Sequence, residues 1–328
     1  MRLTKMSLQR KLAKQLEVKL VDVFTTEPFQ GNPILVVPYG DSLSNDEKLA
    51  IIHELNTEKG VFIGDANDGK SDFSISVLSF QEEIDSDYQS LIAAAFVMIT
   101  EKNVILKDSS TNILTIQTRN GVFPIIVNSK GRESLRLMIM MNVDMKPEFR
   151  RVEFDTAMTA ESLGLVSDDI RTDIMIQATK MKHWAMIIPM KTKDAFDRVV
   201  FNRSKLINMA TENNVDFICL FYYDSTQSDT KIFTRIFHPK LNGDLLNNYF
   251  EDMITGESNC SIATFLFEHK LLPTKGSKLI TAFNQKTISG RQGEIFVEMD
   301  IVNEYIKEMC IGGDACLVLD GKMKLTPY

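Results

Sequence analysis

Two helical segments of the 328-residue chain have almost no polar face, and they constrain the fold more than any other feature. They are residues 90–100 (SLIAAAFVMIT) and 255–269 (TGESNCSIATFLFEH), and each follows a strand and an acidic loop. A helix that is apolar all round must be enclosed by protein, and a curved sheet wrapped around it is an economical enclosure. The repeat therefore predicts two similar halves with a cleft between them. The alternative is two buried helices in unrelated layers.

Composition restricts the class of protein and its partners. Apolar residues make up 44% and charged residues 25%, as in ordinary globular domains, and the net charge of −7 disfavours nucleic acid as a partner. The longest apolar run, residues 91–99, is about half of what a membrane span requires. We therefore expect neither nucleic acid nor a membrane as a partner.

The four cysteines and four histidines show no spacing typical of a disulfide framework or a zinc site. We therefore expect no bound metal and a reducing, cytoplasmic setting. Residues 1–16 hold five basic residues and no acid, and we expect them to form a basic extension before the first strand. A true start at Met6 and a mitochondrial transit peptide are the alternatives.

The rest of the pattern predicts an α/β chain with short strands and few helices. Beside the two apolar segments, helices are predicted at residues 47–55 and 202–213. A last hairpin is predicted around Asp320-Gly321. The other predicted strands are residues 16–24, 34–37, 61–63, 72–80, 134–143, 184–189, 217–223, 231–239, 278–283 and 294–299.

Several short motifs occur in a fixed order along the chain. VDVFT and PFQGNP lie within residues 21–33, RIFHP spans 235–239 and EDMITG spans 251–256. In this order they resemble the PhzF family of isomerases, and the likeness spans residues 17–325. The resemblance implies a diaminopimelate epimerase-like α/β (α+β) fold. Two pseudo-symmetric halves would each hold a mostly antiparallel sheet wrapped around a central helix.

The resemblance also implies a site between the halves, homodimers, and neither a metal nor an organic cofactor. Family members move a proton on a small carboxylated ring or amino-acid-like metabolite. A glutamate is the general acid/base, and a histidine and an aspartate, one from each half, assist it. We place residues 17–125 and 310–328 in the first epimerase-like domain and residues 126–309 in the second.

In the first half the residues that the family uses for acid/base chemistry look replaced. The family motif N-x-S-E-T-x-F aligns with residues 56–62, so Lys59 takes the glutamate position and Glu58 precedes it. Glu58 is either a shifted acid/base or a solvated loop charge, and Lys59 could carry a proton only if its pKa were lowered. Gln89, or Tyr88 after a one-residue shift, stands at the histidine position. Gln cannot move a proton near neutral pH, and Tyr could do so only as a high-pKa acid.

The second half keeps more of the implied site. Asp252 matches the family aspartate, and Thr255 and Gly256 open a helix whose N-terminus favours a substrate carboxylate. Glu257 replaces the usual serine and disfavours an anion there, while Ser258 could supply the missing hydroxyl. The alternative is that this segment only caps the helix. The predicted substrate-binding residues are Thr255, Gly256, Glu257, Ser258 and Asn32.

Two functional hypotheses follow. The first is a divergent PhzF-like isomerase in which Asp252 and Glu58 share the proton transfer on a small carboxylated metabolite. The second is a catalytically inactive relative that keeps the fold and binds a metabolite or a protein partner. General acid/base steps each contribute about 10²–10⁴ in rate, so losing two such groups would remove most of the family reaction.

Overall fold

The computed structural model describes residues 14–104, 106, 111–129, 135–141, 146–224, 231–239, 250–272 and 276–325. The strands of these residues are β1 (Lys14–Val23), β2 (Asn32–Val37), β3 (Lys59–Gly64), β4 (Phe73–Ser79), β5 (Glu83–Ile84), β6 (Thr111–Thr118), β7 (Gly121–Ser129), β8 (Leu135–Met141), β9 (Glu148–Arg151), β10 (Gln177–Lys180), β11 (Trp184–Pro189), β12 (Phe217–Asp224), β13 (Lys231–Phe237), β14 (Lys278–Lys286), β15 (Gln292–Val302), β16 (Tyr305–Gly313) and β17 (Ala315–Leu325). The α-helices are α1 (Asn45–Leu55), α2 (Tyr88–Thr100), α3 (Thr156–Ser162), α4 (Lys193–Arg198), α5 (Arg203–Glu212) and α6 (Gly256–Glu268).

The same order of parallel and antiparallel strand pairs occurs twice in the fold. From β17 through β1, β2, β3, β4, β6 and β7 to β8, the pairs are antiparallel, antiparallel, parallel, antiparallel, parallel, antiparallel and antiparallel. From β9 to β16 in chain order the pairs follow the same directions. The repeated order confirms two pseudo-symmetric, mostly antiparallel halves. β5 adds a short strand to β4, and the β8–β16 pair joins the halves into one continuous hydrogen-bonded sheet.

Five of the six described α-helices lie in the crossover connections that parallel strand pairs require, and α3 lies between the antiparallel strands β9 and β10. α1 connects β2 to β3 and α2 lies between β4 and β6, while α4 and α5 connect β11 to β12 and α6 lies between β13 and β14. Ten of the thirteen residues of α2 and ten of the thirteen of α6 are buried, and both helices share one apolar core. The two apolar segments are therefore the enclosed central helices, as predicted. The remaining helices cover the outer faces of the sheets.

The predicted C-terminal hairpin is wrong. β17 continues through Asp320 and Gly321, which pair with Lys19 and Val18 of β1, and the break between β16 and β17 lies earlier, at Asp314. An Asp-Gly pair is a strong turn signal. Here the ten-residue strand β1 offers backbone hydrogen bonds along its whole length, so the strand continues instead of turning.

The predicted N-terminal extension and the predicted domain boundaries can be compared with the observed strands. Residues 1–13 of the basic extension lie outside the described residues, and residues 14–16 already belong to β1. Strand pairing groups β8 with the first series of strands and β16 with the second. The domain boundary itself stays a prediction.

None of the described helices is both long and apolar enough to cross a bilayer.

Candidate active site

The first turns of α2 and α6 line one cavity of about 440 Å³ between the halves. The fold brings eight of the ten predicted site residues to this cavity, and their chemical roles stay predictions. They are Asn32, Glu58, Lys59, Tyr88, Gln89, Asp252, Thr255 and Glu257. Gly256 and Ser258 are buried and do not line it.

Lys59 is the first residue of β3 and forms an ion pair with Asp87. The lysine is 8% exposed, and its Nζ donates to the Asp87 carboxylate, which also caps α2 by accepting from the Ser90 N–H (2.8 Å). Burial alone would lower the pKa of Lys59, but the negative charges of Asp87 and Glu58 outweigh burial and raise it. Burial would likewise raise the pKa of Asp87, but the Lys59 ammonium holds it below its usual value. Lys59 therefore stays protonated and cannot serve as a base.

Tyr88 and Gln89 occupy the first turn of α2. A Cβ atom at Gly256 would lie only 2.9 Å from Cδ2 of Tyr88, so the tyrosine ring packs directly against the start of α6. Burial, followed by the charges of neighbouring groups, raises the pKa of the Tyr88 phenol, which keeps its proton. Gln89 is buried and has no group that titrates near neutral pH. Neither residue supplies the acid/base chemistry of the family histidine.

Asp252 lines the cavity in the segment that precedes α6. Its backbone N–H donates to the carbonyl of Ile236 on β13 (2.8 Å), which fixes the segment before α6. Burial and the negative charge of Glu58 raise the pKa of Asp252 to about 8, with Lys59 opposing and the Asp87 and Glu257 carboxylates reinforcing the shift. The carboxyl group is therefore mostly protonated at neutral pH.

A buried polar network fixes the segment that carries Asp252. Arg235 Nε donates to Glu251 (2.6 Å), both side chains are at most 4% exposed, and the second oxygen of Glu251 accepts from the Ile288 N–H (2.8 Å). Gln285 accepts from the Thr255 N–H (3.0 Å). Arg235 belongs to the RIFHP motif, but no sequence signal pointed to Gln285.

Asn32 and Glu257 each bond to a group outside their own element. The Asn32 amide donates to the carbonyl of Ile254 (2.8 Å), which ties the first half to the start of α6. The Glu257 carboxylate accepts from Nδ1 of His183 (2.7 Å). Asn32 therefore contributes to the contact between the halves, and Glu257 keeps a carboxylate at the helix start.

Asp87 and His238 are among the cavity residues that sequence reasoning missed. Asp87 was missed as a partner of Lys59, although an aspartate just before an apolar helix is a typical N-cap signal. His238 lines the cavity and stacks on Phe217 with ring centroids 4.5 Å apart. Within the described ranges, no three His, Cys, Asp or Glu side chains group as metal ligands.

Known proteins are similar to this chain in sequence and in fold. A sequence model of the family described as phenazine biosynthesis-like protein (PhzC-PhzF) matches residues 21–321. An uncharacterized isomerase of Clostridium acetobutylicum is 25% identical over 313 residues, covering 93% of this chain and 97% of that protein.

Two solved structures share the fold. A PhzF-family phenazine biosynthesis protein of Bacillus anthracis matches with a TM-score of 0.78 at 18% identity, covering 94% of this chain and 99% of that one. A hydroxyproline epimerase of Agrobacterium vitis, with bound trans-4-hydroxy-L-proline, matches with a TM-score of 0.55 at 10% identity, covering 98% and 94%. The match to the epimerase agrees with the predicted epimerase-like architecture. Together with the match over residues 21–321, the paired halves show that this chain belongs to the PhzC-PhzF family of phenazine biosynthesis-like proteins.

Proposed function

We propose that this protein is an isomerase that binds a small carboxylated metabolite between its halves and moves a proton with Asp252, without a cofactor. The observation that supports this most strongly is the raised pKa of Asp252, about 8, in a cavity that both halves line. A carboxyl group that is mostly protonated at neutral pH can deliver a proton as a general acid, and its conjugate base can take one back.

Isomerisation by proton shift breaks one bond to hydrogen and forms another, so the site needs an acceptor as well as a donor. Glu58 is exposed beside the cavity, and its negative charge is one cause of the raised pKa of Asp252. A pair of carboxyl groups, one that takes a proton and one that delivers it, is a common arrangement for such chemistry. In this proposal Glu58 accepts a proton from the ligand and Asp252 delivers one.

A second candidate function is binding without catalysis. Two contacts favour it: Lys59, at the position of the family glutamate, is held in an ion pair with Asp87, and the Tyr88 ring packs on Gly256 at the start of α6. In a binding protein these contacts would shape the cavity, and the proton on Asp252 would serve only as a hydrogen-bond donor.

Proton exchange with solvent separates the two candidates. Small carboxylates, including trans-4-hydroxy-L-proline, are incubated with the protein in D₂O, and loss of carbon-bound hydrogen is followed by NMR. The isomerase proposal expects exchange in at least one compound, with a loss of at least about 10²-fold in rate in Asp252→Asn. Asp65→Asn, at an exposed aspartate, is the matched control and should keep the rate.

Two results would count against proton transfer by Asp252. Exchange at an equal rate in Asp252→Asn would show that another group moves the proton. Binding without exchange in every compound would favour the non-catalytic function.

A further inference from the structure

The start of α2 is already occupied by a carboxylate of the protein itself. Asp87 accepts from the Ser90 N–H and from Lys59, so its negative charge lies at the positive end of the helix. A helix N-terminus attracts anions through its free N–H groups and its dipole. With the Asp87 carboxylate in place, this end of the cavity offers little attraction to a second anion.

The start of α6 disfavours an anion for a different reason. The Thr255 N–H donates to Gln285 (3.0 Å), and Gly256 is covered by the ring of Tyr88. Glu257 adds a carboxylate in the first turn, which it shares with His183. A ligand carboxylate at either helix end would therefore lie beside a carboxylate that the protein already holds there.

Lys59 is a buried cation that faces the same cavity. It is 8% exposed, and among the residues that the structure describes only Asp87 accepts a hydrogen bond from its Nζ. An ammonium group has three donors, so two remain for a ligand. Lys182 also lines the cavity, but it is exposed, and a solvated lysine loses more hydration and side-chain freedom when it binds.

We infer that Lys59 binds the carboxylate of the ligand, while Glu257 directs anions away from the α6 side of the cavity. The ligand then lies with its carboxylate toward the first half, the reverse of anchoring at Thr255 and Gly256. The ligand carboxylate and Asp87 share the Lys59 ammonium through charge-assisted hydrogen bonds, which are the stronger kind. This inference rests on the proposed function, because it places the same metabolite in the same cavity beside Asp252.

The assignment is tested by comparing the binding of benzoate with the binding of its neutral isostere benzamide. Binding is measured from the rise in the unfolding midpoint that each ligand causes and by calorimetry. Wild-type protein should bind benzoate at least tenfold more tightly than benzamide. Asp87→Asn keeps a good N-cap and frees the Lys59 donors, so benzoate affinity should rise severalfold. The double variant Lys59→Met with Asp87→Asn carries no unpaired buried charge and should lose the preference for benzoate.

Lys182→Met is the control variant, and it should keep the preference for benzoate over benzamide. The inference is overturned if wild-type protein shows no preference for benzoate, if Asp87→Asn weakens its binding, or if the double variant keeps the preference. It is also overturned if Lys182→Met abolishes the preference. If the protein binds carboxylates through Lys59 but catalyses no deuterium exchange, this inference stands and the proposed proton transfer is contradicted. If the double variant still catalyses exchange, the proposed proton transfer stands and this inference is contradicted.

Discussion

Replacing Asp252 with Asn should change how the stability of the protein depends on pH. The pKa of Asp252 is about 8 in the folded protein, compared with 3.8 for an ordinary aspartate. Between these values the folded chain holds a proton that the unfolded chain has released. The stabilisation is therefore complete below the unfolded pKa and is lost as the pH rises through the folded pKa. Asp252→Asn cannot take part in this titration.

The size of this effect on the free energy of unfolding follows from the one proton that Asp252 holds in the folded protein and releases on unfolding. Each pH unit between the two pKa values lowers the free energy of unfolding by about 1.4 kcal/mol, so wild type should lose about 2–3 kcal/mol more than Asp252→Asn from about pH 5 to about pH 7. An unfolding entropy of about 2.1 cal/mol/K per residue gives about 0.7 kcal/mol/K for 328 residues. The difference between the two midpoints should therefore change by about 3–4 °C across this range.

Thermal unfolding of both proteins, followed by circular dichroism at a series of pH values and constant ionic strength, measures this difference. Glu58, Lys59, Asp87 and Glu257 face Asp252 and are present in both proteins, so the comparison isolates the one carboxyl group. Asp65→Asn should run parallel to wild type. Parallel curves for Asp252→Asn as well would refute the reasoning, because they would mean that Asp252 is ionised in both states.

Two further substitutions test the charges around the site. Arg235→Met leaves Glu251 buried without its cation and should lower the free energy of unfolding by about 3–5 kcal/mol in urea titrations, and adding Glu251→Gln should recover part of the loss. An undiminished stability in Arg235→Met would show that this pair is unimportant. Lys59→Glu restores a carboxyl group at the family glutamate position but places it against Asp87, so the variant should lose at least about 3 kcal/mol near neutral pH. The loss should shrink at acidic pH and with Asp87→Asn in the same chain, and a pH-independent loss would contradict this explanation.

The architecture could be predicted largely from two segments. Residues 90–100 and 255–269 require enclosure on every side, and the family resemblance supplies the curved sheets that enclose them. The path of the C-terminal strand could not be predicted, because Asp320-Gly321 is a local turn signal that pairing with β1 overrides. Local signals compete with partners that are distant in sequence, and only the fold decides between them.

The candidate site was predictable by position but not by chemistry. Alignment with family motifs indicated Lys59 and Asp252, and both line the cavity. The partner of Lys59 is Asp87, 28 residues away, and only the packing of α2 beside β3 brings the two together. The pKa of Asp252 depends on burial and on charges from both halves, which no local pattern encodes. Homodimer formation and a cytoplasmic location stay predictions. Sedimentation equilibrium tests the prediction of a homodimer.

The central claim is that Asp252 holds a proton at neutral pH in a cavity between the halves. Carbon NMR of protein labelled at the aspartate Cγ atoms measures this directly, since each carboxyl shift follows its own titration. The account predicts one resonance with a midpoint near pH 8 that is absent from Asp252→Asn. An Asp252 resonance that titrates near 3.8, the ordinary aspartate value, would contradict it.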